Sequence, residues 1–305
     1  MTYTRQFLAS LVALTLVGAC GDSANESGAT AGASGEISAL AYNVAGLPEG
    51  ISGSMPATFM PLIGPKLNAY DLVLVQESWQ TPDPNPFAPT RTYHEELVSR
   101  VDHPYLSIPA EAPLGTDPRR PDALLADGLG RFSRYPFDPV TRVAWDDCDI
   151  TSADCLAFKG FSYARTQIAP GVEIDVYNLH MEAGGSANDE RIRGEGITQM
   201  LDVLTTFSAG RAVIIGGDFN LHTDEEPDKS QYERLLRDAG LTDACAALDC
   251  PEPARIDKMA FRNGGGVEVE ALSWEFAVDE FTSPDGTPLS DHDPLAVRFA
   301  WRTAG

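Results

Sequence analysis

Short apolar runs recur along the chain, and each stops abruptly on polar side chains. Ile37–Tyr42 leads into Asn43, and Asp71–Val75 leads into Gln76 and Glu77. Ile174–Leu179 leads into His180, and Ala212–Ile215 into Gly216-Gly217-Asp218-Phe219-Asn220. Near-continuous apolar runs predict central strands covered on both faces, because a strand with one wet face alternates apolar and polar positions. Helical periodicity separates these runs. Ile197, Met200, Leu201 and Leu204 keep the i, i+3, i+4, i+7 spacing of one buried face, which predicts a helix starting near Asn188 or Asp189. Met55–Asn68 and Gln231–Asp238 are weaker helix candidates, the second stopped by Gly240. Gly264-Gly265-Gly266, between Met259-Ala260-Phe261 and Val267-Glu268-Val269, predicts a hairpin turn. Interleaved strands and helices with a hairpin predict a layered α/β sandwich rather than a purely parallel sheet.

The first residues break this pattern. Arg5 precedes an apolar run from Phe7 to Val17 that is too short to span a bilayer, and the run closes on Val17-Gly18-Ala19-Cys20. This resembles the lipobox of bacterial lipoproteins, in which the cysteine is acylated and becomes the new first residue. An ordinary secretory signal cleaved nearby is the competing reading, and export follows from both. Residues 21–35 are Gly, Ser and Ala with a few polar residues and no large apolar side chain, so they read as a flexible tether. The expected organisation is a signal segment at 1–20, a tether at 21–35 and one catalytic domain at 36–305, placed in the cell envelope through lipid on Cys20.

Composition changes the picture in two ways. The formal charge is −23, from 22 basic and 45 acidic residues. This argues against a broad phosphate-backbone footprint, since non-specific nucleic-acid affinity comes mainly from Lys and Arg. It leaves a nuclease open, because a bound divalent cation cancels part of the field locally. The cysteines beyond Cys20 form two close pairs, Cys148 with Cys155 and Cys245 with Cys250. In an oxidising compartment disulfides are expected, and neighbour pairing is the simplest connectivity. Zinc is the competing reading; it is disfavoured by the loose spacing and by the lack of a flanking histidine.

Taken singly, the polar strand ends have plain explanations as turns, caps or exposed acids. Together, carboxylates, a carboxamide and two histidines at several strand ends are what one rim of a sheet needs to build a hard-cation site with acid–base partners. His94 reads as a helix residue, His103 precedes Pro104, and both are read as surface or packing residues. His222, after the Asp218 turn, is a possible substrate contact without a catalytic role.

The ordered series Tyr42-Asn43-Val44, Gln76-Glu77, Asn178-Leu179-His180, Gly217-Asp218-Phe219-Asn220, Arg255-Ile256-Asp257 and Ser290-Asp291-His292 resembles the signature of the endonuclease/exonuclease/phosphatase superfamily. The resemblance implies a four-layer α/β sandwich, two packed mixed sheets flanked by helices, and magnesium-dependent hydrolysis of a phosphate ester, with manganese or calcium as substitutes. Carried over position by position, Glu77 is the main metal ligand, Asn43 a nearby ligand or orienter, and Asp291 lies beside the metal and the base. His292 is the general base, with Asp257 holding its ring. Asp218 and Asn220 position nucleophile and phosphate, and His180 stabilises the phosphoryl oxygens. The chemistry agrees: a neutral imidazole can take a proton from water while a carboxylate fixes its tautomer.

Secondary features lean toward neutral sphingomyelinases. Asn43-Val44-Ala45-Gly46-Leu47-Pro48 resembles their first motif, Ala153–Tyr163 their Lys-Gly-Phe segment, and Arg191–Met200 the helix after the first histidine. Gly130-Arg131-Phe132-Ser133-Arg134-Tyr135-Pro136 resembles a loop found across the superfamily. Bacterial sphingomyelinases often carry an aromatic docking hairpin before the last Asp-His motif; here that interval offers Phe261, Trp274, Phe276 and Phe281, and Trp274 and Phe276 read as core. The first expectation is therefore a monomeric phospholipid phosphodiesterase. An envelope nuclease or inositol-type phosphatase is the alternative, and a non-catalytic binding module the third reading.

Overall fold

The computed structural model describes residues 32–80, 91–109, 123–151 and 154–304. The expected signal segment with Cys20, and the expected tether up to residue 31, lie outside them. The first four strands are β1 (Ser34–Asn43), β2 (Leu72–Gln76), β3 (Tyr105–Ser107) and β4 (Gly130–Ser133). The middle six are β5 (Thr141–Ala144), β6 (Gly160–Ala169), β7 (Val172–His180), β8 (Val213–Asp218), β9 (Thr242–Asp243) and β10 (Asp257–Arg262). The last two are β11 (Val267–Phe276) and β12 (Leu295–Thr303). The first four and last two form one sheet, in the order β11-β12-β1-β2-β4-β3; the middle six form the other, β5-β6-β7-β8-β10-β9. The helices are α1 (Glu49–Ser52), α2 (Pro56–Leu67), α3 (Tyr93–Val98), α4 (Ala187–Thr206), α5 (Asp228–Ala239) and α6 (Ala244–Ala247).

The unbroken apolar runs are explained by burial on both strand faces. Along β1, Ile37, Ala39 and Ala41 enter the core between the sheets with Leu74, Val176, Ile214, Met259 and Phe299. Leu40 and Tyr42 point the other way, onto Phe59, Met60 and Ile63 of α2 and Leu97 of α3. The second sheet mirrors this, with Tyr177, Leu179, Val213 and Ile215 packed under Ile197, Met200 and Leu204 of α4 and Leu235 of α5. The layers are helix, sheet, sheet, helix, which is the expected four-layer α/β sandwich.

Helix α4 begins at Ala187, one residue before the expected start, because Ser186 and Asp189 close a capping box. Helix α5 ends on Gly240 in a left-handed conformation, as expected, but begins three residues early, at Asp228. Three expectations change. Strand β1 starts at Ser34, two residues inside the stretch expected to be a tether: Ser34 and Gly35 pair with Arg302 and Trp301 of β12. The triglycine turn does not join paired strands, since β10 lies in one sheet and β11 in the other, against β12. It carries the chain across the sandwich. The Gly130–Pro136 segment is strand β4 over its first four residues, not a loop.

Cysteines pair as neighbours, Cys148 with Cys155 and Cys245 with Cys250, at Cα separations of 5.3 and 4.9 Å. Trp274 and Phe276 stack edge to face at 4.9 Å and pack against the inter-sheet core, as a core reading requires.

Candidate active site

Topology brings the polar strand ends to one rim. The only parallel neighbours among the described strands are β1 with β2 and β7 with β8, so each pair delivers two C-terminal ends to the same side. Register then sets the row: Asn43 stands beside Gln76, His180 beside Asp218, and Asp218 beside Asp257 of antiparallel β10. The segment before β12 adds Ser290, Asp291 and His292.

Asn43 is fully buried and links the row. Its Nδ2 donates to Glu77 Oε1 and Asp218 Oδ2, both at 3.1 Å, and lies 3.4 Å from His292 Nε2. Its Oδ1 accepts the Ala45 N–H at 3.1 Å. With the oxygen so engaged, Asn43 orients the two carboxylates. Asp257 Oδ2 lies 2.8 Å from His292 Nδ1, which leaves Nε2 facing Asp218 Oδ2 at 3.7 Å. His180 Nε2 is 3.3 Å from Asp218 Oδ2 and 4.0 Å from Glu77 Oε1. Asn220 N–H donates to Asp218 Oδ1 at 3.0 Å, and its Nδ2 donates to Met181 O at 3.1 Å. Asp291 stands at the exposed edge, where Ser290 Oγ reaches its Oδ1 at 3.3 Å.

Backbone strain concentrates here. Four non-glycine residues have a positive φ among the described residues, and three lie on this rim: Ala45 at 49°, Glu77 at 55° and Asn220 at 48°. Such conformations persist only where the surroundings over-determine them. Gly46 N–H donates to Glu77 O at 3.1 Å, and a Cβ on Gly46 would fall 2.2 Å from that oxygen, so only glycine fits beside the Glu77 turn. Gly217, at φ 148°, lets β8 approach Leu179 O, which a Cβ would meet at 2.1 Å.

Burial sets the electrostatics. Desolvation raises the Glu77 carboxyl, reinforced by Asp218 and opposed by Lys159, Asn43 and His292. Asp218 is pushed up to about 6, first by burial and then by Asp257, against His292, Lys159 and Asn43. His180 falls well below the usual imidazole range through burial and the nearby Lys159 and His292 charges, so its ring is neutral. For His292, burial works against protonation, but the Asp257 hydrogen bond and the charges of Asp257, Asp218 and Asp291 prevail and raise it to about 10. Ligand atoms of Asp218, Asp257 and His292 lie within 4.8 Å of one another, and Asp257 Oδ1 is buried without a hydrogen-bond partner. Crowded, desolvated oxygen donors carrying surplus negative charge fit a hard divalent cation.

The structure also brings in groups to which the motifs assigned no role. Lys159 is buried, 2.7 Å from Asp154 Oδ1, and its charge acts on Glu77, His180 and Asp218. Its signal in the sequence was the Lys-Gly-Phe run, which carried no role. Ser290 Oγ donates to Asn43 O at 2.7 Å and ties the last motif to the first. Gln76 Nε2 donates to Asn178 Oδ1 at 2.7 Å, so these motif residues bridge the two sheets. His94 and His103 are packing residues and not surface ones: His94 Nδ1 lies 2.7 Å from Ser78 Oγ and His103 Nε2 2.8 Å from Tyr70 O. His222 is exposed, with its backbone N–H on Asp228 Oδ2.

Comparison with known proteins follows the same line. Residues 40–292 match the Endonuclease/Exonuclease/phosphatase family. A protein of Mycobacterium bovis named sphingomyelinase is 32% identical over 288 residues, covering 87% of this chain and 53% of that protein. The chain thus spans about half the length of the curated relatives it matches. Sphingomyelinase C from Streptomyces griseocarneus superposes with a TM-score of 0.59 at 18% identity, covering 89% of this chain and 100% of that one. A Staphylococcus aureus beta toxin variant with bound magnesium ions gives 0.60 at 16% identity, over 89% and 100%. The two structures share the sandwich fold, and the family match runs from β1 to His292: the chain belongs to the Endonuclease/Exonuclease/phosphatase family.

Proposed function

We propose that this chain hydrolyses a phosphodiester bond of a sphingomyelin-type phospholipid, with a divalent cation as cofactor. The observation that carries the reading is the His292–Asp257 pair, held at 2.8 Å in one space with Glu77, Asp218, Asn43 and His180. Asp257 fixes the proton on His292 Nδ1, so the Nε2 lone pair can take the proton of a water molecule. That water oxygen bonds to phosphorus as the bond from phosphorus to the leaving oxygen breaks; His292 Nε2 keeps the water's proton, and the departing oxygen takes a proton from solvent and leaves as the alcohol. Asn220 is held by Met181 O and Asp218, so the edge of the phosphate site is preset. His180, neutral and buried, offers a Nε2–H toward the same space without adding a net charge. A magnesium ion held by Glu77 and Asp218, with Asn43 orienting both and Asp291 at the rim, would polarise the phosphoryl oxygens and screen the carboxylate charge that keeps His292 protonated. Manganese or calcium would serve as substitutes. The 32% identical sphingomyelinase and the −23 charge both favour a phospholipid over a nucleic acid.

The test is a substrate panel of sphingomyelin, lysophospholipids, plasmid DNA and inositol phosphates, with magnesium and with EDTA. Sphingomyelin should be cleaved, the activity lost in EDTA and restored by magnesium. Turnover of plasmid DNA alone would make the chain a nuclease, and turnover indifferent to chelator would remove the cation.

The proposal includes location. Attachment would come from acyl chains on Cys20 or from the uncleaved signal itself; no helix among the described residues is long and apolar enough to cross a membrane. Clickable fatty acid should label the wild type and not Cys20→Ser. An unlabelled wild-type protein in the soluble fraction would leave an ordinary secretory signal.

A further inference from the structure

The two chain segments that leave the second sheet at the catalytic rim meet at one buried ion pair. Arg193, on α4, presents its Nε and Nη2 to Asp228 Oδ1 and Oδ2 at 3.0 and 2.9 Å. Its Nη1 donates to Glu182 O at 3.2 Å and to Gly184 O at 2.7 Å, in the segment just after His180. Asp228, at the start of α5, accepts the His222 N–H on Oδ2 at 3.1 Å, in the segment just after Asn220. Both side chains are almost fully buried, at 1% and 5% exposure.

A buried ion pair is weak evidence of stabilisation. Desolvating both charges offsets much of their attraction, and apolar replacements of such pairs are often neutral or better. Helices α4 and α5 also have other means of docking. Gln231 Nε2 donates to Glu190 O at 3.0 Å, Arg234 Nη2 donates to Gly194 O at 2.7 Å, and Ile197, Leu204 and Leu235 share one apolar cluster. What only the ion pair supplies is a rigid fork with three backbone partners, two past His180 and one past Asn220. The planar guanidinium cannot serve the Glu182 and Gly184 carbonyls and the carboxylate at once unless both segments hold their places. Arg131 shows the contrast: equally buried, it keeps Nε and Nη1 without partners.

We propose that Arg193 and Asp228 are positioning residues, a clamp that locks the post-His180 and post-Asn220 segments together and thereby sets His180 and Asn220 against the phosphate. Met181 O, which accepts from Asn220 Nδ2, lies inside the clamped stretch, so slack there passes directly to Asn220. This rests on the phosphodiesterase reading for its consequence in turnover, but the clamp itself has a readout free of activity.

The experiment compares full-length wild type with Arg193→Met, Arg193→Lys, Asp228→Ala and Asp228→Asn. It measures kcat and KM on sphingomyelin, and native-state hydrogen exchange at the His222 and Ile214 amides. In Arg193→Met and Asp228→Ala, kcat should fall roughly 10–100-fold, as for a displacement of about 1 Å, with KM within about two-fold. His222 exchange should quicken at least ten-fold while Ile214, in the core of β8, is unchanged. Asp228→Asn keeps an acceptor for the His222 N–H and should recover part of both losses. Arg193→Lys keeps the charge but not the fork, and should recover little. Equal quickening at both amides, or a kcat within two-fold of wild type in a folded variant, overturns the clamp. If Arg193→Met and Asp228→Ala yield no soluble protein, Asp228→Asn, nearly isosteric, decides by the same two readouts at smaller amplitude. If the wild type cleaves nothing in the panel, the phosphodiesterase reading fails while His222 exchange still decides the clamp.

Discussion

Strand β1 has two ends about 30 Å apart, at roughly 3.3 Å per residue, and both carry charge around them. At the Ser34 end, Arg302 pairs with Glu268 and Arg298 with Glu36, with side chains between 44% and 70% exposed. At the Asn43 end, Glu77, Asp218, Asp257, His180 and His292 crowd into a space where His180 is 1% and His292 17% exposed. Water screens the first set. At the second end Asp218 rises to about 6 and His180 falls well below its ordinary range. The number of charges is similar; what differs is the dielectric around them and the hydrogen bonds that fix their positions. Among the described residues, most acidic side chains lie outside the buried class and so share the first kind of environment.

The sharpest way to break this comparison is at the buried end. His292→Ala should lower kcat about 10²–10⁴-fold, the usual reach of a positioned general base. Glu77→Gln should cut turnover by a comparable factor and raise the magnesium concentration needed for half-maximal rate, since it removes a half-buried charge and keeps the shape. Asp257→Asn should cost less than His292→Ala, because the ring stays but its tautomer is no longer held. All three should keep wild-type circular dichroism. A His292→Ala variant with full turnover would leave the proposed mechanism without its base.

Much of this was legible in the sequence for a physical reason. A strand buried on both faces must be apolar throughout, so the change to Asn43, Glu77, His180 or Asp218 marks where strand gives way to rim. Partners far apart in sequence were not legible. Lys159 would ordinarily sit in water; Asp154 and Met181 O make its burial tolerable, and only the fold brings Met181 there. For the same reason the sequence left His94 and His103 open between surface and packing, since their partners Ser78 and Tyr70 lie 16 and 33 positions away. The triglycine turn shows a different limit. Its residues announce a reversal, but β11 joins the first sheet because β12, from Leu295 onward, offers it a partner. Turn chemistry is local; sheet membership is not.

His94 provides a smaller effect and shows the same burial logic acting on stability. Burial lowers its ring to about 4, with Glu95 opposing and Arg142 assisting. Unfolded, the ring titrates near 6.5, so between the two values the unfolded chain binds a proton that the folded chain refuses. Stability is therefore unaffected by this group above about pH 6.5 and is lost as pH falls toward 4, by about 3 kcal/mol in full. Urea unfolding of wild type and His94→Gln at pH 7 and pH 4.5 isolates the term, because other groups cancel in the difference. The variant should lose less stability on acidification than the wild type, and equal losses would mean that His94 titrates normally in the fold.

The smallest effect belongs to the Ser34 end. Arg302 faces Glu268 across the β11–β12 pair, with Nη2 2.5 Å from Oε2, and their side chains are 70% and 44% exposed. A close contact in the structure would suggest a strong bond, but exposure decides its worth. Both groups keep most of their hydration when apart, the long side chains lose rotamer freedom when joined, and salt screens what attraction remains. Arg302→Ala should thus change stability by less than about 1 kcal/mol, shrinking further in 0.5 M salt. It should leave kcat and KM at wild-type values, because among the described residues the Arg302 side chain bonds to Glu268 and not toward the Asn43 end, and the substitution keeps the backbone bonds of the β1–β12 ladder. Urea titration at low and high salt, together with steady-state kinetics, checks both halves. A loss of several kcal/mol, or a ten-fold fall in kcat, would show that the two ends of β1 are coupled and that burial alone does not separate the charges that act from those that only solvate.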